Sequence, residues 1–230
     1  MMVLRKSFRV AAAGVFLLGV FTTGASWADE LWKLDLEGQQ VGAAPTFGEG
    51  LEIREEEGRK MLVKIEGGTQ FFPNNVPTAA ETAGWNDIVY KVRFRESERF
   101  GMNLVVKASG QREGERYLWY YIAIQPDQIV VTCHGLKDSA LEKNDPRLKS
   151  SVKFKDIGEA PLQLGDWITV EASVGNEVIK VSVDNGDGGN RKGEFATLPG
   201  AGGVKLLALG PVDVSTMEVQ QSKEPVERSK

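Results

Sequence analysis

Apolar residues recur at every second position along most of this chain, and that period is the strongest constraint on its fold. In residues 87–95, DIVYKVRFR, the apolar side chains of Ile88, Tyr90, Val92 and Phe94 alternate with charged ones. Successive side chains of a β-strand project to opposite faces, so this pattern predicts a strand with one apolar face. No later segment carries a convincing helical period, and we therefore expect a β protein.

About a dozen short segments carry the same signal, separated by glycine, proline and asparagine. They are residues 31–37, 51–55, 60–66, 87–95, 101–109, 116–125, 127–135, 152–155, 167–174, 177–183, 204–209 and 212–219. Two longer loops, residues 73–84 and 135–149, interrupt the series. Many short strands with frequent turn signals predict an all-β fold, either a sandwich or a barrel.

The N-terminus has the order of a secretory signal peptide. Three basic residues precede the apolar run at 10–21, and small residues, Ser26 and Ala28, stand before a cleavage point at Asp29. The run is shorter than the ~20 apolar residues that span a bilayer, although a retained N-terminal anchor remains the alternative. We predict export, with a periplasmic or extracellular location and no stable membrane insertion after cleavage.

Three segments follow from this cleavage point. Residues 1–28 are predicted as a signal peptide, 29–220 as one domain, and 221–230 as a flexible polar tail. Without the leader the chain has 202 of its 230 residues and 25 instead of 28 basic residues against 32 acidic ones, a net charge of −7. That acidity disfavours nucleic acid as a partner.

Four segments carry a resemblance to a known fold family. Residues 162–189, LQLGDWITVEASVGNEVIKVSVDNGDGG, resemble the penultimate hairpin of laminin-G-like, concanavalin A-like jelly rolls. Residues 34–45 resemble the opening strand of such domains, 85–95 a central strand, and 202–219 the closing pair. The resemblance covers most of residues 31–219 and implies an antiparallel β-sandwich of two sheets.

The segment order is also similar to that of the bacterial secreted 3-keto-disaccharide hydrolase-like group. Residues 207–219, LALGPVDVSTMEV, depart from that group, which has His-Gly and Arg-Asn-Ile type elements there. Jelly-roll endoglucanases carry Glu-x-Asp-x-x-Glu on one strand, a spacing that this chain lacks. The consecutive carboxylates Glu55, Glu56 and Glu57 are typical of a solvated turn. No catalytic residue is therefore assigned, and whether the protein is an enzyme stays open.

The single cysteine and single histidine are adjacent, at Cys133 and His134. Neighbouring strand residues face opposite ways, so they cannot act together as nucleophile and base. Cys133 shares a face with Ile129 and Val131, which predicts a core position, while His134 faces outward. With one cysteine, no disulfide can form within the chain.

The loop DNGDGGN, residues 184–190, superficially resembles a calcium loop. Glycines stand where such a loop needs oxygen ligands, so an ordinary turn is the better interpretation. Calcium at Asp184 and Asp187 is kept as an alternative; otherwise we predict no metal and no cofactor.

The candidate ligand site consists of side chains on the central strands that the alternation places on the face away from the core. Aromatic rings flanked by hydrogen-bond donors can stack on the C–H faces of a sugar and bond its hydroxyl or carboxylate groups. The predicted ligand-binding residues are Arg93, Arg95, Asn103, Lys107, Tyr117, Trp119, Tyr121 and His134. The competing interpretation is that these aromatics are buried core. Trp85 and Trp167 are expected to anchor strand starts inside the sandwich.

The predicted function is non-catalytic binding of carbohydrate or another extracellular ligand, and the predicted partner is a carbohydrate or a cell-envelope ligand. A glycan-degrading hydrolase of the same fold and a structural or adhesive module are the alternatives.

Overall fold

The computed structural model describes residues 29–65, 82, 84–108, 119–135 and 144–229. The predicted signal peptide, Tyr117 and most of both predicted long loops lie outside these ranges. In the part of the chain that the structure describes, no helix has the length and apolar content needed to cross a membrane.

Within the described residues, nine strands form the larger sheet. They are β1 (Glu30–Lys33), β2 (Gly42–Ala43), β3 (Leu51–Glu56), β4 (Arg59–Lys64), β5 (Ile88–Glu96), β10 (Ile168–Val174), β11 (Val178–Asp184), β12 (Arg191–Ala196) and β14 (Val212–Gln221). Their order is β12-β11-β10-β5-β14-β4-β3-β2, and β1 also pairs with β14. Every pairing is antiparallel.

Five of the described strands form the smaller sheet. They are β6 (Met102–Ala108), β7 (Trp119–Gln125), β8 (Gln128–His134), β9 (Lys149–Lys153) and β13 (Gly203–Ala208). Their order is β13-β6-β7-β8-β9, again with antiparallel pairs.

The inward faces of the two sheets share one apolar core. On β5 the residues Ile88, Tyr90, Val92 and Phe94 are all fully buried, as the alternation predicted. Ile122 on β7 faces them from the other sheet and is also fully buried. This arrangement confirms the predicted fold class, which is all-β with two antiparallel sheets packed as a sandwich.

Some strand boundaries differ from the sequence prediction. β2 and β12 were not predicted, and β9 begins at Lys149, inside the segment predicted as a loop. The segment predicted as a strand at 152–155 instead ends β9 and continues as a single 3₁₀ turn, Phe154–Ile157. Phe154 is fully buried, so the turn places a core side chain at the edge of the sandwich.

Residues that follow β14 contact the larger sheet. The Val226 amide donates to Asp87 Oδ1 at 2.8 Å, and the Ser229 hydroxyl donates to Glu194 Oε2 at 2.6 Å. Gly175 lies against the Val226 carbonyl, so closely that a Cβ at residue 175 could not fit. The segment predicted as a loose tail therefore makes specific contacts, while the division into three segments stays a prediction.

Candidate functional site

The structure divides the predicted site residues between the two sheets. Arg93 and Arg95 lie on β5 of the larger sheet, whereas Asn103, Trp119, Tyr121 and His134 lie on the smaller sheet. The expectation that the arginines share a face with Trp119 was wrong. β5 and β6 follow each other in the chain, but the chain crosses from one sheet to the other between them.

Three rings lie together on the outer face of the smaller sheet, and we call Trp119, Tyr121 and His134 the aromatic face. Trp119 is paired across the strands with His134, and their rings are nearly parallel, 10° apart, with centroids separated by 6.1 Å. The Tyr121 and His134 rings are 4.3 Å apart and tilted by 48°. All three side chains are half-buried, so each ring keeps part of its surface exposed.

The strand register places polar groups around the aromatic face. Tyr121 lies opposite Thr132 on β8 and opposite Val105 on β6. The same cross-strand row continues to Lys149 at one edge of the sheet and Lys205 at the other. The aromatic face is therefore flanked by a hydroxyl and two ammonium groups.

Asn103 lies one row away, opposite Ala123, and its amide donates to the Gly101 carbonyl at 3.1 Å. It shares the outer face with Tyr121, as predicted, but it is held by its own loop. In the described strands of this sheet, no aspartate or glutamate lies on the outer face.

Burial lowers the pKa of His134 below its ordinary value of 6.5. The imidazole is therefore neutral at pH 7 and offers one donor and one acceptor nitrogen. A neutral ring packed against Trp119 and Tyr121 is suited to hydrogen bonding with an uncharged hydroxyl.

Lys107 does not belong to the outer face, contrary to the prediction. The register between β6 and β13 shifts between Val105 and Ala108, which places an extra residue in β6 there, and Lys107 adopts a positive φ of 55°. A bulge of this kind reverses the parity of the strand. The side chain turns inward, is 1% exposed, and donates to the Thr197 hydroxyl at 2.7 Å and to the Asn176 and Leu198 carbonyls at 2.5 and 3.2 Å.

The buried ammonium of Lys107 also lies 5.8 Å from the centre of the Tyr120 ring. Burial lowers the pKa of Lys107 to about 8, partly offset by Glu177. All three ammonium hydrogens have acceptors. Lys107 therefore links β6 by hydrogen bonds to the segments that follow β10 and β12, and it has no hydrogen left to donate to a ligand.

Cys133 faces inward, as predicted, and packs against the core. Burial raises the pKa of its thiol, which disfavours the reactive thiolate. His134 faces outward on the same strand, so the structure confirms that the two cannot act as a pair.

Arg93 and Arg95 form a second polar group, on the outer face of the larger sheet. Their guanidinium carbons lie 4.5 and 4.7 Å from the centre of the Trp167 ring. Trp167 was expected inside the sandwich, and that expectation was wrong. Trp85 does pack against the core. The outward position of Trp167 was not recognised from the sequence. Trp167 directly precedes Ile168, which faces inward, so the alternation of the strand already predicted an outward position for it.

The loop at 184–190 surrounds an arginine. Both carboxylate oxygens of Asp187 accept hydrogen bonds from the fully buried Arg191, at 3.0 and 2.6 Å, and Asn185 Oδ1 accepts a third at 3.1 Å. Arg191 holds the pKa of the Asp187 carboxyl well below its usual range. Within the described ranges, no three His, Cys, Asp or Glu side chains are grouped closely enough to hold a metal ion.

Comparisons with known proteins give structural similarities at low sequence identity. No protein-family model matches the sequence, and a comparison with curated protein sequences finds no match. The catalytic domain of an endo-1,3-beta-glucanase (laminarinase) from Thermotoga petrophila is 9% identical, with a TM-score of 0.48, over 86% of this chain and 99% of that one.

Two further solved structures are similar to this chain. The exoplasmic/lumenal domain of VIP36, in a Ca²⁺/Man3GlcNAc-bound form, is 11% identical with a TM-score of 0.40, over 78% of this chain and 81% of that one. The carbohydrate-binding module CBM66 from Bacillus subtilis is 9% identical with a TM-score of 0.39, over 77% and 89%. The two-sheet arrangement confirms the antiparallel β-sandwich that the concanavalin A-like resemblance implied; membership of the 3-keto-disaccharide hydrolase-like group stays a prediction.

Proposed function

We propose that this protein binds carbohydrate without cleaving it, through the aromatic face. The observation that carries the proposal is the cluster of Trp119, Tyr121 and His134, whose half-exposed rings lie side by side on a rigid sheet. A sugar ring presents C–H groups on its faces and hydroxyls at its edge. Aromatic rings with a neutral imidazole beside them offer matching apolar surface and hydrogen-bonding groups.

The surroundings of the aromatic face support the same ligand class. Thr132 lies directly across from Tyr121 and can donate to or accept from a sugar hydroxyl. Lys149 and Lys205 end this row at the two sides and add positive charge at the sheet edges. The sheet fixes the backbone of these residues, so little conformational entropy is lost on binding.

The Trp119→Ala variant tests this site. Losing the stacking surface should weaken glycan binding by ~1–3 kcal/mol, taking base–aromatic stacking as the nearest measured analogue. Because Trp119 is half-buried on the outer face, the melting temperature should change little. Glycan-array binding followed by calorimetry measures the first effect, and a thermal melt measures the second.

Trp167→Ala is the matched control, since it removes a half-buried tryptophan from the opposite sheet. Its glycan affinity should equal that of the wild type. The proposal fails if Trp119→Ala binds glycans as well as the wild type does. Cleavage of the bound glycans would instead identify a hydrolase. Absence of both binding and cleavage, with capture of a cell-envelope protein, would identify an adhesive module.

We also propose that the protein acts outside the cytoplasm, because its N-terminal sequence has the order of a signal peptide. The mature protein should begin at Asp29. N-terminal sequencing of material from the periplasm or the medium checks this, and protein that retains Met1 would contradict it.

A further inference from the structure

The outer face of the larger sheet carries a groove of about 910 Å³, separate from the aromatic face. It lies where two strands share one edge of β14. β4 pairs with residues 212–214 and β1 pairs with residues 218–220, and the register of β14 against β5 shifts between these stretches. Ser215 and Thr216, at the shift, form part of the groove wall.

Arg93 lines this groove, and its guanidinium uses only part of its hydrogen-bonding capacity within the described residues. Its Nη1 donates to the Ser215 hydroxyl at 3.3 Å, and that hydroxyl also lies 3.4 Å from the Arg93 carbonyl oxygen. A guanidinium has five N–H donors. Among the residues that the structure describes, the other four have no protein acceptor. The cation–π contact with Trp167 helps to hold the guanidinium in place.

Two more guanidiniums lie near Arg93. Arg95 lies beside Arg93, but Asp213 and Glu56 neutralise it at 2.7 and 2.8 Å. Arg59 lines the groove opposite Arg93 and has no carboxylate partner within the described ranges. Burial and then the charges of Arg59 and Arg95 lower the pKa of Arg93, in keeping with the position of Arg59 on the same groove.

We propose that this groove, which we call the arginine groove (Arg59, Arg93 and Ser215), binds a small molecule through an anionic oxygen group, either carboxylate or sulfate. A guanidinium edge binds such a group with two parallel hydrogen bonds, and Ser215 can supply another. This inference is independent of the carbohydrate proposal, since it concerns the other sheet.

The dimensions and rim of the groove favour a compact ligand over a polyanion. Its volume is within the usual range for sites that take small molecules. Asp35, Glu37 and Glu30 also line the groove, and their charges would repel an extended chain of anionic groups. Lys60, which also lines the groove, donates to the Glu37 and Gln39 carbonyls and braces that rim.

Calorimetric titration of the mature protein with sodium glucuronate and, separately, sodium sulfate tests the proposal at low ionic strength, with sodium chloride as the reference salt. At least one probe should bind saturably at millimolar concentration, and its identity distinguishes carboxylate from sulfate recognition. Arg93→Gln and the exposed Arg59→Gln should each weaken that binding by about tenfold or more.

Arg54→Gln is the control, because Arg54 is an exposed arginine of β3 that is paired with Glu52 and does not line the groove. Arg54→Gln and Trp119→Ala should both keep wild-type affinity for the anion, and the second separates this site from the aromatic face. Binding of neither probe, or binding that survives Arg59→Gln and Arg93→Gln in folded protein, would overturn the proposal.

Discussion

Replacing Arg191 with alanine should lower the free energy of unfolding by about 3 kcal/mol, because the side chain is fully buried and makes four hydrogen bonds. Its Nε donates to the Ala160 carbonyl at 2.9 Å, and its two terminal nitrogens hold Asp187 and Asn185. The guanidinium also lies 5.7 Å from the centre of the Phe154 ring. Alanine removes all of these contacts and leaves a cavity beneath the 3₁₀ turn.

The melting temperature should fall by roughly 6–12 °C, the usual scale for such a loss in a domain of this size. Chemical denaturation gives the free energy directly. Lys192→Ala, one residue along β12 with an exposed side chain, should stay within about 0.5 kcal/mol of the wild type. A loss below about 1 kcal/mol in Arg191→Ala would show that the loop holds its shape without the arginine.

The same arginine explains a pattern that the sequence left ambiguous. The Asp-Gly series at 184–190 suggested either a turn or a calcium loop, and neither interpretation includes Arg191. A Cβ at Gly189 would lie 2.5 Å from Arg191 Nη1 and 2.6 Å from Glu159 Oε2. Glycine at this position thus leaves room for the Arg191 and Glu159 side-chain ends to pack closely, a fit that only the folded loop shows.

Strand parity was predictable because it depends on local chain geometry alone. The alternation in residues 127–135 correctly placed Ile129, Val131 and Cys133 inward and His134 outward. The same argument correctly placed Trp119 and Tyr121 on one outer face. Two of the three residues of the aromatic face could therefore be predicted from one strand. His134 lies beside them because β7 pairs with β8.

Sheet membership and bulges were not predictable, because they depend on long-range pairing. Arg93 and Asn103 have the same outward parity, yet β5 and β6 lie in different sheets. Lys107 follows the alternation of β6 in the sequence, but one extra residue in the strand turns it into the core. No residue type in residues 101–108 marks that bulge.

β12 was missed for a different reason. Its inward positions are Arg191, Gly193 and Phe195, of which only one is a large apolar residue. Gly193 is required because a Cβ there would lie 2.7 Å from the Phe195 ring and 3.1 Å from Val152 of β9. Because the two sheets approach this closely at β12, its inward positions hold a small residue and a hydrogen-bonded one, and the sequence lacks the alternation of apolar and polar residues that marks the other strands.

A second large effect is expected at Glu96, the last residue of β5, which faces inward and is 1% exposed. Its Oε1 accepts a hydrogen bond from the Gly101 amide at 2.9 Å, while its buried Oε2 has no partner in the described part of the chain. Burial raises the pKa of this carboxyl to about 7, against the opposing effects of backbone amides and Arg99. The folded state is therefore less stable when the Glu96 carboxyl is ionised than when it is protonated.

The sign of the resulting pH dependence follows from where the proton is bound. Between pH 4.5 and 7 the folded state keeps a proton on Glu96 that the unfolded state has released, so the stability from this group is complete below pH 4.5 and is lost as the pH rises through 7. We expect a loss of about 2 kcal/mol between pH 5 and pH 7.5 from this residue. Measurements should stop near pH 7.5, because the pKa of Lys107 is lowered to about 8.

Glu96→Gln should remove this contribution, because the amide keeps the shape of the side chain and does not titrate. Relative to the wild type, the variant should gain about 2 kcal/mol in unfolding free energy between pH 5 and pH 7.5, measured by urea denaturation at each pH. The comparison cancels the opposite contribution of His134, whose pKa is lowered by burial in both proteins. Glu98→Gln changes an exposed carboxylate in the following loop and should keep the wild-type decline. If Glu96→Gln and the wild type lost stability in parallel, Glu96 would already be ionised at pH 5, and its buried oxygen would need a cation or a water that compensates the charge.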